Sequence, residues 1–423
     1  DGSGASTTGF GQAVDTGFFT FTGITGLKVG SLANTQSITV SVVALSVAGP
    51  IEILAMGGTA ADITFTTAVT NTANNSSIIL KASRDVVLKG TTSFTGTGAN
   101  TFTAMAGRDI YSNAAINGAS GNPLTVNLYT DVDNAGGGAI IFNSSAAVAS
   151  FGGNITMRGG TGDTTTGCAA AKTCIAGYAS NSGGDWIGWN GSIWLPGYQD
   201  NVSGIVIVSS GSIDAGAGSI TIMGRTSDAS YYGVLVYYGG ATIKAGGNIT
   251  ISGITASGSN GWGVYLESGM LWSTAGNITI TANGSNGMYI NAQTIAAGDS
   301  TTSPTSGGTI TINATGNTSA YYGLRQNASS VVAFGAISIT ATSIAQYAFY
   351  LHGTGSKVIS ASDITINASQ GNWGLTMYDN AFIQSTKANS SSTGNISITA
   401  SGTTGGLYTN TTGGIYATSN TAT

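Results

Sequence analysis

The stretch Gly247-Asn248-Ile249-Thr250-Ile251 decides the fold, because its Ile-Thr-Ile core recurs along the chain with small changes. The two apolar residues of the triplet project to one side of an extended strand, and the polar residue between them projects to the other. From Ile220 onward, successive triplets begin 29, 29, 32, 27, 27 and 32 residues apart. A period near thirty predicts a stacked repeat architecture rather than a compact enzyme domain. The triplets begin at Ile155, Ile220, Ile249, Ile278, Ile310, Ile337, Ile364 and Ile396.

Two further apolar segments follow each regular triplet. In one repeat they are Gly263-Val264-Tyr265-Leu266 and Leu271-Trp272, and similar segments recur in the other repeats. Three strands in a repeat of about 29 residues predict a three-sided parallel β-helix, an all-β solenoid that we expect to be right-handed. Each rung would add roughly 4.8 Å, and the inward side chains would stack into one continuous core.

The composition limits the classes of protein to which the chain can belong. Charged residues are only 7% of the 423 residues, 41% are apolar, and the net charge of -5 is too small to favour disorder. The chain holds 66 glycines and 4 prolines, as expected for a β-rich protein with many tight turns. Only 12 lysines and arginines are present, which argues against a nucleic-acid partner.

The repeat period divides the chain into three parts. Residues 1–158 carry the same chemistry at a looser period, and residues 202–423 form regular rungs. Residues 159–201 break the pattern and predict an insertion loop that projects from the solenoid. Insertions on solenoids often lie on the binding face, so the three tryptophans of this loop are candidate contact residues. They are Trp186, Trp189 and Trp194.

The only two cysteines, Cys168 and Cys174, also lie in this insertion. Their position in a Gly/Thr-rich stretch predicts a local disulfide formed in an oxidising compartment, and therefore export. A metal site would need more ligands, and a redox pair would normally show Cys-x-x-Cys spacing. We therefore expect no metal site and no cofactor.

Four motifs of the chain are Ala106-Gly107-Arg108-Asp109-Ile110, Asn122-Pro123-Leu124-Thr125-Val126, Asp131–Ile140 and Gly152-Gly153-Asn154-Ile155-Thr156. These motifs resemble the β-helical shaft of filamentous-haemagglutinin-like adhesins, the exported proteins of two-partner secretion systems. The resemblance covers most of residues 20–420. It implies a secreted or cell-surface location and an outer-membrane transporter as the export partner. The family's N-terminal secretion domain is not recognisable in this sequence.

Five aromatic residues occupy the same position, immediately before the second strand of a repeat. On adjacent rungs they would form a ladder, which Asn286 interrupts. One interpretation is that the stacked rings stabilise a corner of the solenoid. The other is a platform for sugar rings or for a neighbouring filament. The five residues are Tyr232, Trp262, Tyr322, Tyr347 and Trp373.

No catalytic residues emerge from the sequence. His352, the only histidine, points outward by register and aligns with Glu267, Asn291, Asn327, Tyr378 and Asn410, which form no acid–serine–histidine grouping. Some β-helices degrade polysaccharides, but that chemistry needs clustered carboxylates or basic residues along one groove. The 17 acidic residues are scattered over the chain, so we expect no enzyme activity.

We therefore expect an extracellular structural and adhesive β-solenoid, the shaft of a bacterial surface adhesin or fibre, that acts through repeated weak contacts. An alternative is a filament subunit that polymerises end to end. A third is a β-helix that binds or degrades polysaccharides. The expected partners are neighbouring subunits, glycans and host or cell-surface receptors, and no nucleic acid is among them.

Overall fold

The computed structural model describes most of the chain from residue 25 onward. For three short strands within the predicted insertion it describes the backbone alone, and the side chains of residues 387, 418 and 419 are outside the description. The described residues are 25–41, 44–132, 138–143, 146–159, 179–181, 187–189, 194–196, 203–208, 211–226, 230–237, 239–255, 258, 260–317, 321–387, 394–410 and 413–419.

The structure confirms the predicted all-β solenoid with three parallel sheets. Among the described residues, thirteen strands, one from each rung, follow one another along each sheet, and consecutive rungs pair in parallel. The first sheet contains the Ile-Thr-Ile triplets. Its strands are β1 (Leu27–Ser31), β4 (Pro50–Ala55), β7 (Ser77–Ala82), β10 (Asn100–Ala106), β13 (Leu124–Thr130), β16 (Ile155–Gly159), β22 (Ile220–Thr226), β25 (Ile249–Thr255), β28 (Ile278–Gly284), β31 (Ile310–Gly316), β34 (Ile337–Ser343), β37 (Ile364–Ser369) and β40 (Ile396–Ala400).

The second sheet contains the segment that follows each triplet. Its strands are β2 (Ile38–Val40), β5 (Ile63–Phe65), β8 (Val86–Leu88), β11 (Ile110–Ser112), β14 (Ile140–Phe142), β20 (Ile205–Val208), β23 (Tyr232–Tyr237), β26 (Trp262–Glu267), β29 (Asn286–Asn291), β32 (Tyr322–Asn327), β35 (Tyr347–His352), β38 (Trp373–Tyr378) and β41 (Gly405–Asn410).

The third sheet closes each rung with a short strand. Its strands are β3 (Ala44–Leu45), β6 (Val69–Asn71), β9 (Thr92–Phe94), β12 (Ile116–Asn117), β15 (Ala147–Ala149), β21 (Ser212–Asp214), β24 (Thr242–Ala245), β27 (Met270–Ser273), β30 (Thr294–Ala297), β33 (Ser330–Ala333), β36 (Lys357–Ser360), β39 (Phe382–Lys387) and β42 (Ile415–Ser419).

Three additional strands lie within the predicted insertion. β17 (Ala179–Asn181) pairs in parallel with the end of β22, so part of this segment joins the first sheet. β18 (Ile187–Trp189) and β19 (Trp194–Pro196) pair with each other as an antiparallel hairpin.

The core is one apolar column system that runs from rung to rung. Ile249 and Ile251 pair in register with Ile278 and Ile280, and all four are fully buried, whereas Thr250 between them is exposed. This alternation is the expected result of a strand with one face on the core. Each rung therefore rests on its two neighbours and needs no second layer.

The length of a rung differs between the two ends of the solenoid. Register partners on the first sheet lie 24 to 29 residues apart from Leu27 to Ile155. They lie 27 to 32 residues apart from Ile220 to Ile396. The predicted length of about 29 therefore describes the C-terminal rungs, and the N-terminal rungs are shorter. The difference arises partly in shorter strands of the second and third sheets.

Asparagines at the start of the triplets link successive rungs through their side chains. The Oδ1 atom of Asn248 accepts a hydrogen bond of 2.8 Å from the backbone N–H of Asn277. Asn277 repeats this contact with the N–H of Thr309, also at 2.8 Å, and Asn154 does so with Ser219 at 2.9 Å. These bonds satisfy backbone donors at the corner, where the strand ladder has not yet begun.

An ion-pair ladder occupies a different corner of the N-terminal rungs, where the first sheet leads into the second. The Arg84 guanidinium binds both carboxylate oxygens of Asp62, and Arg108 binds those of Asp85 in the same way. The Asp85 side chain is only 6% exposed, so its charge is paired and hydrogen-bonded as a buried charge must be. The recurrence of Arg-Asp at a spacing of 24 residues is the sequence signal of this ladder.

Candidate functional site

The outer side of the second sheet carries the richest chemistry of the described surface. Along β26, Val264 and Leu266 point into the core, so Tyr265 and Glu267 project outward and Trp262 lies at the corner. The same alternation repeats on the rungs that follow. It produces three outward columns along the solenoid axis: a corner column, a central column and an edge column.

The corner column contains all five aromatic residues of the predicted ladder. Strand register aligns Tyr232 with Trp262, Trp262 with Asn286, and Tyr347 with both Tyr322 and Trp373. Placing the five in one column does not make them one continuous stack. The ring contacts decide which of them act together.

Three of the five rings form a parallel stack. The centroids of Trp262 and Tyr322 are 5.9 Å apart with an interplanar angle of 16°, and those of Tyr322 and Tyr347 are 5.6 Å apart at 14°. Because Asn286 separates Trp262 from Tyr322 by one rung, these two rings lean toward each other across the gap. The Asn286 side chain fills the space below by donating to the Asn260 carbonyl and accepting from the Tyr322 N–H.

The stack changes what this column offers to a ligand. Stacked rings cover one another's faces, so mainly their edges and polar atoms meet solvent. The two outer members of the column, Tyr232 and Trp373, pack against other rings. The ring centroid of Tyr232 lies 5.0 Å from that of Tyr265, and the ring centroid of Trp373 lies 5.2 Å from that of Tyr408, with both pairs of rings tilted. The ring contacts thus join Trp262, Tyr322 and Tyr347 into one stack, and a role of the column in stabilising the corner or in binding stays a prediction.

The central column holds tyrosines and one arginine. Tyr265, Tyr289, Arg325 and Tyr350 follow one another in register. The guanidinium carbon of Arg325 lies 4.8 Å from the ring centroid of Tyr289 and 5.2 Å from that of Tyr322, so two aromatic rings hold the cation. The residue type varies along this column, so no repeating signal in the sequence singles out Arg325.

The edge column is a hydrogen-bonded row of amides. Asn327 donates to the side-chain oxygen of Asn291 at 2.7 Å, and Asn291 donates to the Glu267 carboxylate at 2.8 Å. His352 pairs in register with Asn327 and accepts a hydrogen bond of 3.1 Å at Nε2 from the Nε of Arg325. The column predicted from sequence around His352 is therefore linked to the central column through Arg325.

Burial and the nearby Arg325 charge lower the pKa of His352 to about 4, while Asp379 opposes this shift. The ring also lies 4.5 Å from that of Tyr350. The imidazole is therefore neutral at pH 7, which leaves Nε2 free to accept the bond from Arg325. Burial raises the pKa values of Tyr322 and Tyr350, so their phenols stay protonated and can donate hydrogen bonds.

This depressed pKa predicts a defined loss of stability in acid. Between pH 6.5 and about 4 the unfolded chain binds a proton at His352 and the folded chain does not, so stability falls as the pH drops through this window. After allowance for partial exposure, the loss is about 1 kcal/mol. His352→Gln, whose amide oxygen can replace the acceptor, should remove that part of the pH dependence. Urea unfolding of both proteins at pH 7 and pH 4.5 measures it; parallel losses in the two would contradict the assignment.

A groove crosses the second sheet between β26 and β35. It has a volume of about 430 Å³ and is bounded by Trp262, Tyr322, Arg325 and Tyr350, with three amide side chains at its margins. The margin residues are Asn260, Asn286 and Gln346, and Tyr321 and Tyr347 complete the lining.

The other predicted site residues fall largely beyond the structural description. Cys168, Cys174 and Trp186 lie outside the described residues, so the disulfide stays a prediction. Trp189 and Trp194 lie directly opposite each other on β18 and β19, where the backbone alone is described. Their role in binding also stays a prediction.

A candidate metal site and a candidate membrane-spanning helix are both absent from the described residues. Within these ranges no three His, Cys, Asp or Glu side chains gather as a metal site would require. In the same part of the chain, no helix has the length and apolarity needed to span a bilayer.

Comparison of the chain with protein-family models, with curated proteins and with solved structures found no match.

Proposed function

We propose that the chain is an extracellular structural and adhesive β-solenoid, a section of the shaft of a bacterial surface adhesin or fibre. The observation that carries this proposal is the stacking of thirteen rungs in three sheets over the described residues, with one outer face lined by aromatic and amide side chains. At roughly 4.8 Å per rung, this arrangement extends for about 60 Å. It combines reach with a chemically repetitive surface.

The repetition of similar groups along one face supports a multivalent mode of contact. Tyrosines or a tryptophan recur on the second sheet in β23, β26, β29, β32, β35, β38 and β41. A partner that also repeats, such as a surface glycan or a neighbouring filament, would meet several of these positions at once. Effective concentration would then raise a weak single-site affinity. Secretion through an outer-membrane transporter, implied by the family resemblance, belongs to the same proposal.

The shaft proposal is tested first by particle shape. Negative-stain electron microscopy of the purified chain should show discrete short rods whose length does not change with protein concentration. Long fibres of indefinite length would contradict the proposal as stated and support the alternative, a subunit that polymerises end to end.

Adhesion is tested with beads coated with the protein and applied to glycan-bearing cell surfaces. The variant carrying Tyr232→Ala and Trp373→Ala, two half-buried rings outside the stack, should lower bead retention several-fold, because avidity amplifies each lost contact. Tyr416→Ala is the matched control, since this 46% exposed aromatic residue lies on the third sheet. Unchanged retention by the double variant, with circular dichroism unchanged, would contradict adhesion through the aromatic face.

A further inference from the structure

The groove on the second sheet contains a cation without a carboxylate partner. Arg325 uses its Nε–H for His352 and stacks against the rings of Tyr289 and Tyr322. Its terminal Nη groups make no hydrogen bond or ion pair with any residue that the structure describes. Guanidinium groups of this kind present parallel N–H donors that match the two oxygens of a carboxylate.

Neutral hydrogen-bonding groups surround this cation. The side-chain amides of Asn260 and Gln346 line the groove and make no hydrogen bond with the described residues. An amide supplies both donors and an acceptor, which suits the hydroxyl groups of a sugar. The acidic groups on the same face are already engaged: Glu267 accepts from Asn291 and Tyr265, and Asp379 accepts from the Gly353 N–H.

Two aromatic rings of the groove lie outside the stack, Tyr321 and Tyr350, and Tyr321 is the more exposed of the two. Tyr321 is 48% exposed, and its ring is tilted 42° from that of Tyr322 at a centroid distance of 6.0 Å. Tyr321 therefore keeps an open ring surface, unlike the stacked rings of Trp262, Tyr322 and Tyr347. An aromatic side chain with an exposed face can pack against the C–H groups of a saccharide as an apolar surface.

We propose that this groove binds a carboxylated sugar residue of an acidic glycan. The carboxylate accepts two hydrogen bonds from the Nη groups of Arg325, the hydroxyls bond to Asn260 and Gln346, and one sugar face packs on Tyr321. A neutral sugar would leave the half-buried guanidinium unpaired, and a nucleic acid would require more than one cation. This inference rests on the proposed adhesive function and names the class of ligand that the outer side of the second sheet would bind.

The test measures binding of the full chain to an oligosaccharide of glucuronic acid and to sialyllactose by isothermal titration calorimetry. The matching glucose oligosaccharide and lactose serve as neutral probes. We expect at least one acidic probe to bind about tenfold or more tightly than its neutral counterpart, and the pattern across the two distinguishes uronic from sialic acid. Equal affinity for acidic and neutral probes would overturn the proposal, as would failure to bind either acidic probe.

Two variants locate the binding in the groove. Arg325→Gln should weaken acidic binding about tenfold or more, whereas Arg225→Gln, on the first sheet, should leave it unchanged. Tyr321→Ala removes an exposed ring, so it should weaken binding several-fold without changing the urea midpoint and keeps the test valid if Arg325→Gln unfolds. The assignment would be overturned if Tyr321→Ala kept wild-type affinity and Arg325→Gln did so too. It would also be overturned if Tyr321→Ala kept wild-type affinity and Arg325→Gln unfolded.

The outcomes separate this proposal from the proposed function. If acidic sugars bind in a way that depends on Arg325 but the coated beads fail to adhere, the groove assignment is supported and the proposed adhesive function is contradicted. Adhesion that is lost in the variant carrying Tyr232→Ala and Trp373→Ala, but is unaffected by added acidic sugars, would support the adhesin and contradict the groove assignment.

Discussion

Ile280→Asp is expected to lower the free energy of unfolding by about 4 kcal/mol, the largest effect of any single change considered for this chain. Ile280 is fully buried and pairs in register with Ile251 on one side and Ile312 on the other. An aspartate there has no cation to pair with in the adjoining apolar columns. The urea midpoint, followed by far-UV circular dichroism, measures the loss.

The position of the damage is as informative as its size. Since the rungs are stabilised by their nearest neighbours, amide hydrogen exchange should accelerate first in β25, β28 and β31 and only later toward the ends. Thr281→Asp is the matched control, because Thr281 is the next residue and is exposed. It should change the stability by no more than about 0.5 kcal/mol. A similar cost for both variants would contradict the assignment of inward and outward faces.

Gly263→Val is expected to cost about 3 kcal/mol and to disturb the aromatic corner. A Cβ atom at Gly263 would lie 2.5 Å from the backbone nitrogen of Asn283 and 2.7 Å from the carbonyl oxygen of Gly253. Neither atom belongs to a side chain that could turn away. Because Gly263 lies between Trp262 and Val264, its displacement should shift the fluorescence maximum of the protein to the red as well as lower the urea midpoint.

The control for Gly263→Val lies at the equivalent position of another rung. Ala348 occupies the position that glycine holds at Gly263, Gly287, Gly323 and Gly374, and it is fully buried. The rung of Ala348 thus accommodates a Cβ atom, and Ala348→Gly should cost only about 1 kcal/mol through backbone entropy. If Gly263→Val is as stable as wild type, the close approach of the backbones at this corner is wrong.

Much of this fold can be predicted from sequence because many repeats support the same assignment of strands and inward-facing residues. Ile249, Ile278 and Ile310 all begin triplets at the same point of their rungs, and each is fully buried in register with the next. Agreement among many copies overcomes the ambiguity of a single short strand. The third strands, which are only four residues long between β24 and β36, were predictable for the same reason.

The sequence shows where a residue departs from the repeat pattern, but it does not show how the structure accommodates that residue. Gln326 occupies an inward position where most rungs have an apolar residue. The structure buries it completely, with its amide nitrogen donating to the carbonyls of Ser329 at 2.9 Å and Lys357 at 3.0 Å. The sequence marks the anomaly, but only coordinates identify which backbone carbonyls face it.

The candidate site was only half predictable, because register fixes columns and not side-chain directions. The alignment of Tyr322 with Tyr347 follows from the repeat, but the contact of Trp262 with Tyr322 spans two rungs and depends on how both rings lean. Arg325 was hidden by the variability of its column. Tyr321 lies one residue outside the repeating position, so no periodic signal singles it out.

The register of the sheets also decides how the rod would respond to mechanical load. The hydrogen bonds between rungs run along the long axis, so tension applied at the two ends loads successive junctions in series, and the least reinforced junction yields first. On the third sheet, β12 and β15 share only two registered residue pairs, whereas β39 and β42 share five. On the first sheet, β28 and β31 share seven. Pulled from its ends, this molecule would extend by yielding among its N-terminal rungs while the aromatic face stayed intact.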